Sequence, residues 1–209
     1  RRTAKEEVAA MTLTAGVATR DITAFVDGIP LMGWAIHHNV ARSVAMPLAC
    51  RAFVLAEGRR RIAYACCEIA IMTDAVRDAV LERLALHRPD LEIGDGDLTL
   101  AATHSHSGPG GYSHHLFYNL TNPGFSPRVL GEIVDGIFGA ICEAADTAEP
   151  AEVRVGKALI DDESPVAFNR SIEAYNANRD VIPVTWRNRH RATNRELVLM
   201  RIDSPEGRP

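Results

Sequence analysis

The stretch Ala49-Cys50-Arg51-Ala52-Phe53-Val54-Leu55-Ala56-Glu57-Gly58-Arg59-Arg60-Arg61-Ile62-Ala63-Tyr64-Ala65-Cys66-Cys67-Glu68-Ile69-Ala70 decides the fold. Two apolar, β-rich runs, 49–57 and 61–70, flank Gly58-Arg59-Arg60, the pattern of a hairpin buried on at least one face. Upstream, Leu13 to Ala18 alternates apolar and small residues and reads as a first strand, and the Gly/Pro-punctuated segment through Pro30 reads as a loop. Downstream, Thr73-Asp74 caps a helix to about His87, with Val76, Val80, Leu81 and Leu84 on one stripe and Pro89 beyond its end. Asp97 to Thr103 is a short strand that runs into a polar, glycine-rich loop. Ser126-Pro127 then opens a helix to about Asp146, whose apolar face is Leu130, Ile133, Val134, Ile137 and Ile141. Val153–Ile160 and Leu197–Ile202 are further strands around an irregular, arginine-rich segment. The order β-β-β-α-β-α-β-β implies an α/β (mixed α+β) fold, a mixed β-sheet with helices packed on it.

Composition sets the class of protein. The chain has 209 residues, 46% hydrophobic and 24% charged, with 23 Lys+Arg against 27 Asp+Glu. Those proportions fit a folded domain and exclude a disordered or fibrous chain. The net charge of -4 leaves no electrostatic footprint for nucleic acid. No apolar run reaches the roughly 18 residues of a membrane span, so no transmembrane segment is expected, and transient contact with a membrane surface stays open. Arg1 to Glu7 is followed by no apolar core of a signal peptide, which leaves secretion and the cytoplasm both open. Residues 1–12 read as disordered or foreign to the native chain, with Met11 a candidate start. The four cysteines, Cys50, Cys66, Cys67 and Cys142, form no CxxC pair and read as buried free thiols, with Cys66 and Cys67 on opposite faces of a strand.

The chemistry gathers at Thr103-His104-Ser105-His106-Ser107-Gly108-Pro109-Gly110-Gly111-Tyr112. In an extended chain His104 and His106 share a face, where both imidazoles reach one centre. A metal suits that geometry, since zinc takes imidazole nitrogen readily. The position at a strand's carboxyl end is where ligands collect in such sheets. The glycine run lets backbone approach a ligand and present N–H groups to an oxyanion. The competing reading is a plain loop with locally bonded histidines. A dinuclear HxHxDH hydrolase would need Asp and His where Gly108 and Pro109 stand. His37-His38 and His114-His115 read as loop pairs. Glu68, inside an apolar strand, needs a partner, either a loop histidine or a buried arginine. The sequons at Asn119 and Asn169 carry no weight without secretion.

These residues resemble the neutral/alkaline (non-lysosomal) ceramidase family. The ten-residue segment 103–112 looks like the family's THTHSGPGGY. Leu116-Phe117-Tyr118-Asn119, Gly124-Phe125, Arg20-Asp21-Ile22-Thr23, Met32-Gly33-Trp34, Arg51-Ala52-Phe53-Val54, Val134-Asp135-Gly136-Ile137 and Asn169-Arg170-Ser171 with Ala174-Tyr175 follow in the family's order, across about Leu13 to Ile202. The resemblance implies a zinc-dependent amidase that hydrolyses the N-acyl bond of ceramide, or a related N-acyl lipid, to sphingoid base and fatty acid. It implies that His104 is a zinc ligand, that His106 lies beside the scissile amide as a catalytic residue, that Arg170 is the active-site arginine, and that Gly33 lines the substrate's head-group end. The family's remaining ligands lie downstream of this sequence, so 13–209 reads as an incomplete N-terminal portion of a catalytic domain, completed by further chain or an oligomeric partner. Ser43-Val44-Ala45-Met46 stands where the family has GIHT, which puts ceramide itself in question as substrate. The alternative is a non-catalytic module that binds a lipid or partner and lacks the rest of the metal site.

Overall fold

The computed structural model describes residues 12–120 and 124–207. The expectation for the N-terminal segment falls, up to Met11, outside the described residues. The chain divides into two units, 1–151 and 152–209.

In the first unit the strands are β1 (Leu13–Asp21), β2 (Ala49–Glu57), β3 (Arg60–Cys67), β4 (Leu98–Ala102) and the two-residue β5 (Glu149–Pro150). They form one sheet in the order β4-β3-β2-β1-β5. β1, β2 and β3 pair antiparallel, and β4 joins β3 parallel. Mixed pairing was expected, and its cause is visible in the connections. Gly58-Arg59 makes a two-residue turn between paired Glu57 and Arg60, whereas β3 reaches β4 through helix α1 (Asp74–His87), the crossover a parallel pair requires.

α1 starts where Thr73 Oγ1 accepts the Val76 N–H at 3.3 Å. The longer helix α2 (Pro127–Asp146) starts where Ser126 Oγ accepts the Val129 N–H at 3.4 Å. Val129, Ile133, Val134, Ile137 and Ile141 of α2 are all buried. Each buried side chain of this size contributes about 1.5–3 kcal/mol relative to exposure. They meet Cys50, Ala52 and Val54 of β2 and Ala63, Ala65 and Cys67 of β3 in one core cluster. Cys67 is buried and Cys66 half-buried, as opposite faces require. Cys142 is also half-buried rather than fully buried.

At one point helix and strand almost touch: a Cβ on Gly16 of β1 would lie 1.8 Å from the Ala144 carbonyl oxygen. Only a residue without a side chain fits there.

The second unit differs from the single sheet the sequence suggested. β6 (Glu152–Leu159) and β7 (Glu196–Asp203) pair only with each other, antiparallel. The register joins Val153 to Ile202 and Val155 to Met200, so their apolar residues serve their own hairpin. The arginine-rich segment between them holds helix α3 (Ile172–Asn176) and one short 3-10 turn. Ser204 to Gly207 forms a turn, closed by the Gly207 N–H to the Ser204 carbonyl at 2.8 Å. Among the described residues no helix is long and apolar enough to cross a membrane.

Candidate active site

The loop after β4 begins on a backbone reversal. β4 ends at Ala102, and His104 takes φ +63°, a left-handed conformation uncommon for a residue with a side chain. The extended conformation that would put both histidines on one strand face therefore does not persist, yet their rings meet. Nε2 of His106 lies 3.2 Å from Nε2 of His104, with ring centroids 4.7 Å apart.

The strand end beside the loop holds His104. After β3, the Ala70 carbonyl stands 2.6 Å from His104 Nδ1. A carbonyl can only accept, so Nδ1 carries the proton and Nε2 keeps its lone pair. That is the arrangement of a metal-binding imidazole, with one nitrogen tied back to a carbonyl and the other presenting its lone pair, here toward His106 Nε2. Thr103 N–H to the Cys67 carbonyl at 2.9 Å and Ser105 N–H to the Ile69 carbonyl at 3.2 Å lock the loop to the same segment.

Residues 30–34 hold His106. Met32 N–H donates to the Gly108 carbonyl at 3.1 Å, and Gly110 N–H to the Pro30 carbonyl at 2.9 Å. Trp34 Nε1 then donates to the His106 carbonyl at 2.8 Å, and its ring meets the imidazole edge-on at 5.7 Å. Gly33, at φ +95°, gives the ring its room: a Cβ there would sit 2.7 Å from His106 Cε1 and Nε2. Gly33 thus touches the site through His106. Gly33→Ala is expected to push the His106 ring aside by up to about 1 Å, a misplacement that costs about 10²-fold in kcat if the ring serves catalysis, with a melting temperature within a few degrees of wild type. Steady-state kinetics beside a thermal melt check it.

The glycine run packs rather than standing open. Gly108, Pro109, Gly110 and Gly111 are buried, and the Gly110 N–H is already taken by Pro30. Tyr112, fully buried, closes the loop. Its hydroxyl donates to the Ile71 carbonyl at 3.0 Å and accepts the Ile71 N–H at 3.2 Å. Burial pushes its pKa up to about 12, so it stays neutral.

Glu68 has the partner its position demands, but not a histidine or a buried arginine. Its carboxylate accepts from the exposed Arg51 guanidinium at 2.7 Å and from the Ala49 N–H at 2.8 Å. The Arg51 hydrogen bond, then the Ala49 N–H, holds its pKa below the ordinary 4.5. A carboxyl depressed in the folded state stabilises above its unfolded pKa, and that stabilisation is lost as pH falls through the folded value. Glu68→Gln is therefore expected to lower the melting temperature at pH 7 and to converge with wild type as the pH falls below the lowered carboxyl pKa, as parallel melts from neutral to acid pH would show. The carboxyl serves the strand ends, not the imidazoles.

Thr103, Ser105 and Ser107 of the same loop line a cavity of about 630 Å³ whose lining includes neither His104 nor His106. Its remaining walls include Phe25, Val40, Val44, Met46 and Leu48. His37, His38, His114 and His115 are exposed, as loop pairs should be.

Arg170 belongs to the second unit. It is exposed and precedes α3. Asn169 anchors its turn, with Oδ1 accepting the Ser171 N–H at 2.8 Å and Nδ2 donating to the Ala192 carbonyl at 3.3 Å. Among the described residues Arg170 makes no hydrogen bond or ion pair.

A zinc ion bound by imidazole fits the chemistry of His104, whose Nε2 keeps a lone pair and faces His106 Nε2. Among the described residues no cluster of three His, Cys, Asp or Glu stands ready for a metal, so a zinc ion held through His104 would need about two further donors. Three contributors escaped the sequence reading: the Ala70 carbonyl, the Trp34 indole N–H and the Tyr112 hydroxyl. Trp34 had a signal, an aromatic directly after Gly33. A carbonyl's role has none, because every residue carries one.

The chain is similar to known proteins over most of its length. The model of the neutral/alkaline non-lysosomal ceramidase family, N-terminal, matches residues 13–208. The chain is 32% identical over 169 residues, 80% of its length, to the neutral ceramidase of Pseudomonas aeruginosa. It is 30% identical over 198 residues, 93% of its length, to that of Mycobacterium tuberculosis. Those matches cover 25% and 30% of the two relatives, so the chain spans under a third of their length. The crystal structure of the Pseudomonas aeruginosa neutral ceramidase superposes with a TM-score of 0.83 at 28% identity, covering 95% of this chain and 30% of that one. By sequence over nearly its whole length, and by fold, the chain belongs to the neutral/alkaline non-lysosomal ceramidase family.

Proposed function

We propose that this chain contributes His104, His106 and Arg170 to a zinc-dependent amide hydrolase that cleaves the N-acyl bond of ceramide or a related N-acyl lipid, releasing sphingoid base and fatty acid. The observation that carries this reading is the pair of Nε2 atoms 3.2 Å apart, one of them on an imidazole whose proton is held at Nδ1 by Ala70. His104 is the zinc ligand. When bound, zinc would polarise the amide carbonyl and lower the pKa of a water.

The chain's own residues do the rest. His106, positioned by Trp34 and Gly33, carries its proton at Nε2, the atom that faces His104, and can donate it to the developing oxyanion or to the leaving nitrogen. Arg170, assigned from the resemblance of Asn169-Arg170-Ser171 alone, carries guanidinium N–H donors of the kind that hold an oxyanion. The Glu68–Arg51 pair and the Tyr112 hydroxyl hold the strand end and loop still, so little reorganisation accompanies the reaction. Ser43 to Met46, on the cavity wall, depart from the family pattern, so simpler N-acyl amides belong in the assay beside ceramide. The test is fatty-acid release from a fluorescent ceramide by the full-length gene product, with and without a chelator. Chelator-sensitive release supports the reading. No such release from ceramide or simpler N-acyl amides refutes it and leaves a non-catalytic lipid- or partner-binding module.

A further inference from the structure

We infer that Cys50 and Cys67 form a dithiol that peroxide converts, reversibly, to a cross-strand disulfide at the base of the β2–β3 hairpin. The two are direct partners in the register. Glu68 N–H donates to the Ala49 carbonyl at 2.9 Å, which makes 49/68 a hydrogen-bonded pair. Antiparallel pairs alternate, so Cys50 and Cys67 occupy the next, non-hydrogen-bonded pair, where Cα atoms stand about 4.5 Å apart and side chains are closest. That spacing lies inside the range a disulfide spans, about 4.4–6.8 Å. Both side chains point into the core with 0% exposure. Cys66 lies across from Arg51 on the opposite face and cannot substitute for Cys67.

The thiols are unequal, which sets the order of events. The Cys67 S–H bond, with help from the Arg51 charge, lowers the Cys50 pKa, while the same contact and burial raise that of Cys67. Cys50 is therefore the attacking thiolate. Its sulfur takes one oxygen of hydrogen peroxide, forming Cys50–SOH and releasing hydroxide, which the displaced proton turns to water. Cys67 sulfur then attacks the sulfenic sulfur, giving up its proton while the hydroxyl leaves as a second water. Two thiols lose two electrons and two hydrogens, and one peroxide becomes two waters. A peroxide is small enough to enter a closed core during brief opening of the strand ends. The bond would tie β2 to β3 three residues before Ala70, whose carbonyl holds His104, and next to the Cys67 carbonyl that receives Thr103. None of this depends on the hydrolase reading.

The test is to treat the full chain with hydrogen peroxide, quench, unfold, alkylate and map peptides. The expected product has lost about 2 Da, the two hydrogens of a closed disulfide. It carries a Cys50–Cys67 linked peptide, leaves Cys66 and Cys142 open to alkylation, and reverts with dithiothreitol. Cys66→Ser should keep the link, and Cys50→Ala should abolish it. Cys50 and Cys67 both remaining alkylatable, links through Cys66, or sulfinic acid at Cys50 in place of the link would each overturn the inference. The wild-type peptide map decides alone if the variants do not fold.

Discussion

His104→Ala in the full-length gene product is expected to reduce amide hydrolysis by at least about 10³-fold, the scale on which removing one positioned base or oxyanion donor already acts. The argument rests on two contacts of one ring. Ala70 fixes the proton on Nδ1, and the left-handed backbone at His104 turns Nε2 toward His106. Alanine removes both nitrogens but leaves the strand, since Thr103 and Ser105 still bond the Cys67 and Ile69 carbonyls. The loss should appear in kcat and kcat/KM alike, with an unchanged far-UV spectrum. His106→Ala removes only the proton carrier. It should lower kcat by about 10²–10⁴-fold while metal content is kept. Equal metal loss in both variants would mean that the two rings share one role.

Gly16→Ala is expected to be the most damaging small change outside the site. A Cβ at Gly16 meets the Ala144 carbonyl oxygen at 1.8 Å and the Ala148 nitrogen at 2.9 Å, both backbone atoms that no rotamer change can move. Helix α2 must shift off β1, loosening Val134, Ile137 and Ile141 from the core. Overpacking a core costs about 1–3 kcal/mol and more where backbone must yield, against a total stability of about 5–15 kcal/mol. At about 3 kcal/mol the melting temperature falls by about 6–12 °C. Gly131→Ala is the control in the same helix, because nothing lies within 4 Å of its Cβ. It should be neutral or raise stability by up to about 1 kcal/mol.

Periodicity made most of the fold legible. The apolar stripe of Val76, Val80 and Leu84, the Ser126-Pro127 start and the two runs around Gly58 each predicted an element, and the elements stand within a few residues of those bounds. Pairing was harder to read. β5 is two residues long and exposed, Glu149–Pro150, too short for any pattern. Nothing in Val153 or Leu197 distinguishes a strand that joins the large sheet from one that pairs only locally, because both present the same alternation. In the site, His104 and His106 were visible by type and spacing, and Gly33 by its neighbours Met32 and Trp34. Their geometry was not, because it turns on a left-handed residue with no local signal and on contacts 34 and 72 residues away in sequence. Glu68 shows the same limit: its need for a partner follows from burial energetics, but the choice of Arg51 follows from register.

The most direct test of the central claim is zinc content. Elemental analysis of the full-length gene product should find close to one zinc per molecule in wild type and in His106→Ala, and a loss of most of it in His104→Ala. Equal zinc in wild type and His104→Ala, or none in either, would contradict the assignment of His104 as a ligand.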